Sequence, residues 1–164
     1  MSSDKLRQIL NFLPVSDTLG TAGQPTAEQF GSIAAAGYEV VINLAMPDSS
    51  NALPNEADLV QEAGMTYVHI PVVWESPTLR DLDRFFEVMD RSKGRRVFVH
   101  CALNMRVSCF VFLYRVIRDG LPVPEAATMM RRIWEPNPVW RRFLQDALRR
   151  HGLGDQEIEA LKLT

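Results

Sequence analysis

The stretch Arg96-Val-Phe-Val-His-Cys-Ala-Leu-Asn-Met-Arg-Val-Ser108, continued at once by Cys109-Phe-Val-Phe-Leu-Tyr114, decides how the rest of the chain is read. Val97, Phe98 and Val99 form a short run of β-branched and aromatic residues, the pattern of a strand covered on both faces in a parallel sheet. After Arg106 the residues are apolar on every side, interrupted only by Arg115, so a helix here is a buried one, ended by Gly120. A strand that enters a helix through a short loop aims several backbone N–H groups and the positive helix end at one point, which makes an anion site. Cys101 stands at the mouth of that site, where the dipole and the amides favour thiolate over thiol. Arg106 closes the loop with a planar fork suited to oxyanions. Asn104 lies at the apex, where a tight anion-cradling turn calls for positive φ, and Asn is one of the few residues after Gly that accepts it.

The 164 residues, 46% of them hydrophobic, suit one compact domain over 1–164 with a real core. A net charge of -2 gives no argument for nucleic acid or anionic membranes, and neither is expected as a partner. A secretory leader and an apolar run long enough to span a bilayer are both missing from the sequence, so the expected location is the cytoplasm. Cys101 and Cys109 are the two cysteines, too few for a disulfide framework or a four-cysteine zinc site. His69 and His151 have no partner pattern, and neither a metal nor a cofactor is expected.

Reading outward, Asp4 to Phe12 has helical apolar spacing, so residues 1–14 are expected to form an N-terminal helix stopped by Pro14. Leu19 to Gly23 reads as an edge strand. Thr26 with Gln29 starts a helix ending at Gly37. Tyr38 to Ala45 and Thr66 to Val72 read as strands, separated by a polar loop over 46–54 and a short helix over 55–63. Gly23-Gln-Pro25 is read as turn chemistry without a catalytic role. After the loop Val73-Trp-Glu-Ser-Pro77, Thr78 and Asp81 cap a helix whose inner face carries Leu82, Phe85, Phe86 and Met89. Beyond Gly120 the chain reads as helical over 124–134 and 138–151, with Asn137 as N-cap of the second, and as a loose tail over 154–164. The alternation predicts an α/β single domain: a mostly parallel central sheet of four or five strands flanked by helices, with a helical C-terminal third. Ligands then gather at the carboxyl ends of the strands, where the loops of Cys101, Met46 and Trp74 converge.

The Cys101 stretch resembles the active-site loop of cysteine-dependent phosphatases, His-Cys-x5-Arg-Ser/Thr, of dual-specificity type. Here only four residues separate Cys101 from Arg106, so the arginine comes one place early, while Ser108 falls where the family's Ser/Thr would. Cys-x4-Arg is also the loop length of rhodanese sulfurtransferases. It occurs as well in a bacterial phosphatase-like family found alone or fused to metallo-hydrolase domains, to which this chain is most similar. The resemblance rests on Gly23-Gln-Pro25, Val41-Ile-Asn-Leu44 and the Cys101 loop, and it implies a protein-tyrosine-phosphatase-like fold.

It also implies a hydrolase acting on phosphomonoesters, with a phosphorylated protein or small molecule as partner. Cys101 would be the nucleophile, Ala102, Leu103, Asn104, Met105 and Arg106 the phosphate cradle, and Ser108 a hydrogen-bond partner of the sulfur. His100 alternates with Cys101 and points to the opposite face, as an orienting residue or as a satisfied core histidine. Relatives carry an acidic residue near the position of Val72. Glu75 is the carboxylate this loop offers as general acid, with Asp48, Glu56 and Glu135 in reserve. Cys109 reads as a packing residue. Two rival readings share the site: a persulfide-carrying sulfurtransferase, for which the short loop is apt, and an anion-binding module without turnover.

Overall fold

The computed structural model describes residues 2–159. Its sheet is built from Leu13–Ser16 (β1), Leu19–Ala22 (β2), Val40–Asn43 (β3), Thr66–His69 (β4) and Val97–His100 (β5), in the order β1-β2-β5-β3-β4. The stretch that carries Cys101 is therefore the central strand. β5 runs parallel to both neighbours, with Phe98 opposite Gly20 on one side and Val41 on the other. β3 and β4 are also parallel, and only β1 runs antiparallel to its neighbour β2.

The helices are Ser2–Leu6 (α1), Gln29–Ala35 (α2), Glu56–Glu62 (α3), Leu79–Arg91 (α4), Met105–Ile117 (α5), Val123–Arg131 (α6), Pro138–Arg150 (α7) and Asp155–Glu159 (α8). Alternation along the strands divides the core into two layers. Val40, Ile42, Val97, Val99 and Cys101 face a cluster built mainly with α4, α5, α6 and α7, whereas Val41 and Phe98 face a smaller one with Phe30, Ile33 and Val60 of α2 and α3. α5 is buried nearly all round, as its lack of a polar stripe requires.

Local chemistry sets most boundaries. Thr26 and Gln29 exchange side-chain-to-backbone bonds in a capping box. Thr78 accepts from the Asp81 amide at the start of α4, and Asn137 accepts from the Trp140 amide at the start of α7. The four inner-face residues expected for α4, Leu82, Phe85, Phe86 and Met89, are its buried ones.

The N-terminal helix over 1–14 is a correction. α1 stops at Leu6, the chain turns through Asn11 at φ 51, and residues 13–16 form a strand. Leu6, Ile9 and Leu13 do have helical spacing and are buried, but Leu13 belongs to β1 and Leu10 is exposed. Pro14 lacks an N–H, which an edge strand tolerates, and a bulge between Pro14 and Ser16 accompanies it. Because β1 takes the edge, β2 is an inner strand and not the expected edge one. Of the tail over 154–164, α8 is described, and residues 160–164 lie outside the described part.

Candidate active site

The site begins where β5 ends. Cys101 is 1% exposed, and its amide donates to the Ala22 carbonyl of β2 at 3.4 Å. Three residues on, Asn104 takes the left-handed conformation (φ 69, ψ 2) as N-cap of α5. A left-handed residue between extended strand and helix is what turns successive amides toward one concavity.

The carbonyls of this loop are tied to the scaffold. His100 Nδ1 lies 3.3 Å from the Cys101 carbonyl. Ala102 O accepts from the Gln24 amide at 3.1 Å and from Asn51 Nδ2 at 3.1 Å. Leu103 O accepts from Asn11 Nδ2 at 3.0 Å. In a planar trans peptide the N–H points opposite to its C=O, so drawing these carbonyls outward turns the amides of Ala102, Leu103 and Asn104 toward the other side. Among the described residues, none of the amides from Ala102 to Arg106 donates to a protein acceptor. They are the unsatisfied donors of a strand-to-helix turn, and an anion is their natural acceptor.

Three of these supports were not foreseen as parts of the site. Gly23-Gln-Pro25 does more than turn the chain: a Cβ at Gly23 would come 2.8 Å from the Ala102 carbonyl, so only glycine lets the two segments touch. Asn51 reaches in from the 46–54 loop, and Asn11 from the turn after α1. Their signal in the sequence is faint, because each acts on a backbone atom far along the chain.

Arg106 is 7% exposed and donates from Nη1 to the Val72 carbonyl at 2.9 Å. Its guanidinium carbon lies 5.8 Å from the centroid of the Trp74 ring, which packs against Trp134 and Trp140. Trp140 donates its indole N–H to the Trp74 carbonyl, so α7 holds the 73–77 loop in place. Cys101 and Arg106 thus begin and end one loop, with the Trp74 loop over the arginine.

The other expected residues make contacts of their own. Ser108 donates to the Met105 carbonyl at 2.7 Å and accepts from the Trp134 indole at 3.0 Å, an arrangement that braces the first turn of α5. Glu75 is exposed and lines a groove with Pro138, Arg142, Phe143 and Asp146, where neither Cys101 nor Arg106 is found. Of the reserve carboxylates, Asp48 is exposed, and Glu135 is paired with Arg131. Cys109 is fully buried, and burial pushes its thiol far up. Among the described residues, no group of His, Cys, Asp and Glu is arranged to hold a metal ion.

Glu56 is the reserve carboxylate with the most consequence. It is 3% exposed, and it lies across the sheet from Cys101, bound to His100 Nε2 at 2.6 Å and to Gln24 Nε2 at 2.7 Å. Burial alone would raise its carboxyl, but the hydrogen bond and charge of His100, the hydrogen bond of Gln24 and the charge of His69 outweigh it. The group is held below the usual carboxylate range.

A mostly parallel sheet with a cysteine at the end of its central strand, and an arginine in the first turn of the buried helix after it, is an arrangement found in the cysteine-dependent phosphatase superfamily. The chain belongs to the family described as DSP-PTPase phosphatase fused to NAD+ kinase, whose model matches residues 15–138. It is 35% identical to a DUF442 phosphatase candidate from Shewanella putrefaciens CN-32, with a TM-score of 0.83 over 91% of this chain and 98% of that one. It is 31% identical over 115 residues to a beta-lactamase hydrolase-like protein of Xylella fastidiosa, a match that covers 68% of this chain. The chain spans 26% of the length of that relative. Kinase associated phosphatase, 13% identical, shares the fold alone, with a TM-score of 0.75 over 90% of this chain and 99% of that one. No helix of the described residues is long and apolar enough to cross a membrane.

Proposed function

We propose that the chain hydrolyses phosphate monoesters through Cys101. The thiolate attacks phosphorus, the P–O bond to the leaving group breaks, and an S–P bond forms. Water then attacks the phosphocysteine, releasing inorganic phosphate and returning the thiolate. The amides of residues 102–106 and the Arg106 fork hold the equatorial oxygens, whose charge the loop is built to receive before the reaction starts. The observation that carries this reading is the outward tethering of the loop carbonyls by His100, Gln24, Asn51 and Asn11, which leaves the amides of residues 102–106, next to Cys101, without protein acceptors among the described residues.

Glu75 is the carboxylate of the 73–77 loop and is the proposed proton donor to the leaving group. It lines the α7 groove in the arrangement described, so protonation of the leaving group is the weak step. Ser108 supports the helix start that carries Arg106. The test is hydrolysis of an aryl phosphate by the wild type and by Cys101→Ser. Turnover by the wild type alone supports the reading, and equal rates refute it.

One observation favours a second reading. The loop between Cys101 and Arg106 is one residue shorter than His-Cys-x5-Arg, and a tighter cradle suits the single sulfur of a Cys101 persulfide. Transfer of sulfur from thiosulfate to cyanide, without turnover of any phosphate ester, would replace the first reading with this one. Vanadate binding without either activity would leave an anion-binding module.

A further inference from the structure

We propose that Glu56, with Gln24, is a positioning residue that keeps His100 doubly protonated and thereby orients and polarises the first peptide of the Cys101 loop. The inference rests on the thiolate chemistry proposed above.

Each ring nitrogen of His100 faces an oxygen. Nε2 is 2.6 Å from Glu56 Oε2, and Nδ1 is 3.3 Å from the Cys101 carbonyl. Both partners are acceptors. A neutral imidazole has one donor and one acceptor nitrogen, so it can serve only one of them, whereas an imidazolium serves both. His100 is fully buried, and a buried cation needs a counter-charge; Glu56 is that counter-charge. Glu56 in turn has its second oxygen taken by Gln24 Nε2, so both carboxylate oxygens are bound.

His100 packs against groups of α2 and α3. From α2 it meets the ring of Phe30, edge-on with centroids 6.1 Å apart. From α3 it meets Glu56, and beyond Glu56 lie His69 and Tyr67 of β4, both of which act on that carboxylate. The Tyr67 hydroxyl is pushed up to about 12 by burial, so it stays neutral throughout the working range.

The consequence reaches Cys101 through the backbone. A proton on Nδ1 bound to the Cys101 carbonyl fixes the plane of the Cys101–Ala102 peptide and increases its polarity, and the Ala102 N–H on the opposite side becomes a better donor. Gln24 acts twice, with its side chain on Glu56 and with its own amide on the Ala102 carbonyl. Gly23-Gln-Pro25 and Glu56, far apart in sequence, thus set two consecutive peptides of one loop.

The test reads the thiolate directly, without phosphatase turnover. Iodoacetamide alkylation of Cys101 is followed from about pH 6 to 8 in the wild type, Glu56→Gln, His100→Asn and the double variant. Glu56→Gln keeps the size and removes the charge; alkylation is expected to slow by about tenfold near neutrality, and vanadate affinity to fall with the weakened Ala102 donor. In the His100→Asn background the same change is expected to add nothing, because Glu56 acts through His100. Alkylation of Glu56→Gln at the wild-type rate would overturn the proposal, and so would an equal slowing in both backgrounds. Nitrogen NMR of the histidine rings in the wild-type protein decides even if a variant fails to fold: an imidazolium at His100 supports the proposal, and a neutral ring refutes it. A wild type that hydrolyses no phosphate ester but keeps the alkylation contrast would refute the phosphatase reading and leave this one standing.

Discussion

Asn11 and Asn104 tie the turn before β1 to the loop after β5: Asn11 Nδ2 donates to the Leu103 carbonyl at 3.0 Å, and Asn104 Nδ2 donates to the Asn11 carbonyl at 2.9 Å. They are also the two non-glycine residues with positive φ among the described residues. Each turn thus offers a backbone carbonyl to the side-chain amide of the other. Asn104 adds a bond to Thr21 Oγ1 at 3.1 Å, which links the loop apex to β2.

Replacing Asn104 therefore separates backbone from side chain. Asn104→Gly keeps the left-handed turn and loses the amide bonds. Asn104→Ala loses both and adds about 1–2 kcal/mol of left-handed strain. Both variants should melt below the wild type, Asn104→Ala lower, and both should bind vanadate more weakly by thermal shift. An Asn104→Ala protein with wild-type melting and vanadate response would show that the apex does not organise the cradle.

Gly23→Ala should act on the same loop from the other side. Its Cβ would meet a backbone oxygen, Ala102 O at 2.8 Å, which cannot swing away as a flexible side chain can. Overpacking of this kind costs about 1–3 kcal/mol. The displaced carbonyl belongs to the cradle, so anion affinity should fall along with stability. Retention of full vanadate affinity in a destabilised Gly23→Ala protein would mean that the contact is structural only.

Arg106→Lys keeps a charge but loses the planar fork, and it puts a compact ammonium where the guanidinium meets Val72 O and the Trp74 ring. Phosphate, sulfate and vanadate should stabilise the variant much less than the wild type in thermal shift. Equal stabilisation of both proteins would remove Arg106 from the anion site.

Leaving-group dependence tests Glu75. With its carboxylate on the α7 groove, alkyl phosphates should turn over more slowly than aryl phosphates, whose phenolates leave without a proton. A working acid contributes about 10²- to 10⁴-fold. Glu75→Gln should lower the alkyl rate and spare the aryl rate. Unchanged rates on both substrates would make Glu75 a spectator.

Stability against acid should depend on Glu56. Its folded carboxyl is held below the unfolded value of 4.5, so near that pH the unfolded chain binds more protons than the folded one, and stability rises with pH. The contribution is complete above about pH 4.5 and is lost as pH falls through the lower folded value. Denaturant titrations across this range should show a shallower acid limb for Glu56→Gln than for the wild type. Parallel limbs would place the acid sensitivity elsewhere.

The parts of this protein legible in the sequence are those set by neighbours along the chain. The run Val97–Val99, the all-round apolar α5 and the Gly120 stop identify the central strand and buried helix, because burial on both sides removes any polar alternation. The positive φ of Asn104 follows from how few residues tolerate it, and the caps at Thr26, Thr78 and Asn137 follow from hydrogen bonds three residues long. Cys101 and Arg106 follow from their positions at the two ends of one loop.

What the tertiary structure alone decided are the contacts between distant segments. Helical spacing from Leu6 to Leu13 could not reveal β1, because the competing partner, β2, lies beyond a turn and offers an open edge. The pairing of His100 with Glu56 spans 44 positions, and that of Asn11 with Leu103 spans 92. A buried carboxylate and a solvated one look alike in a sequence, as Glu56 and Glu75 do. They differ only in what the fold brings against them, since burial penalises an unpaired charge and a hydrogen-bonded partner restores it.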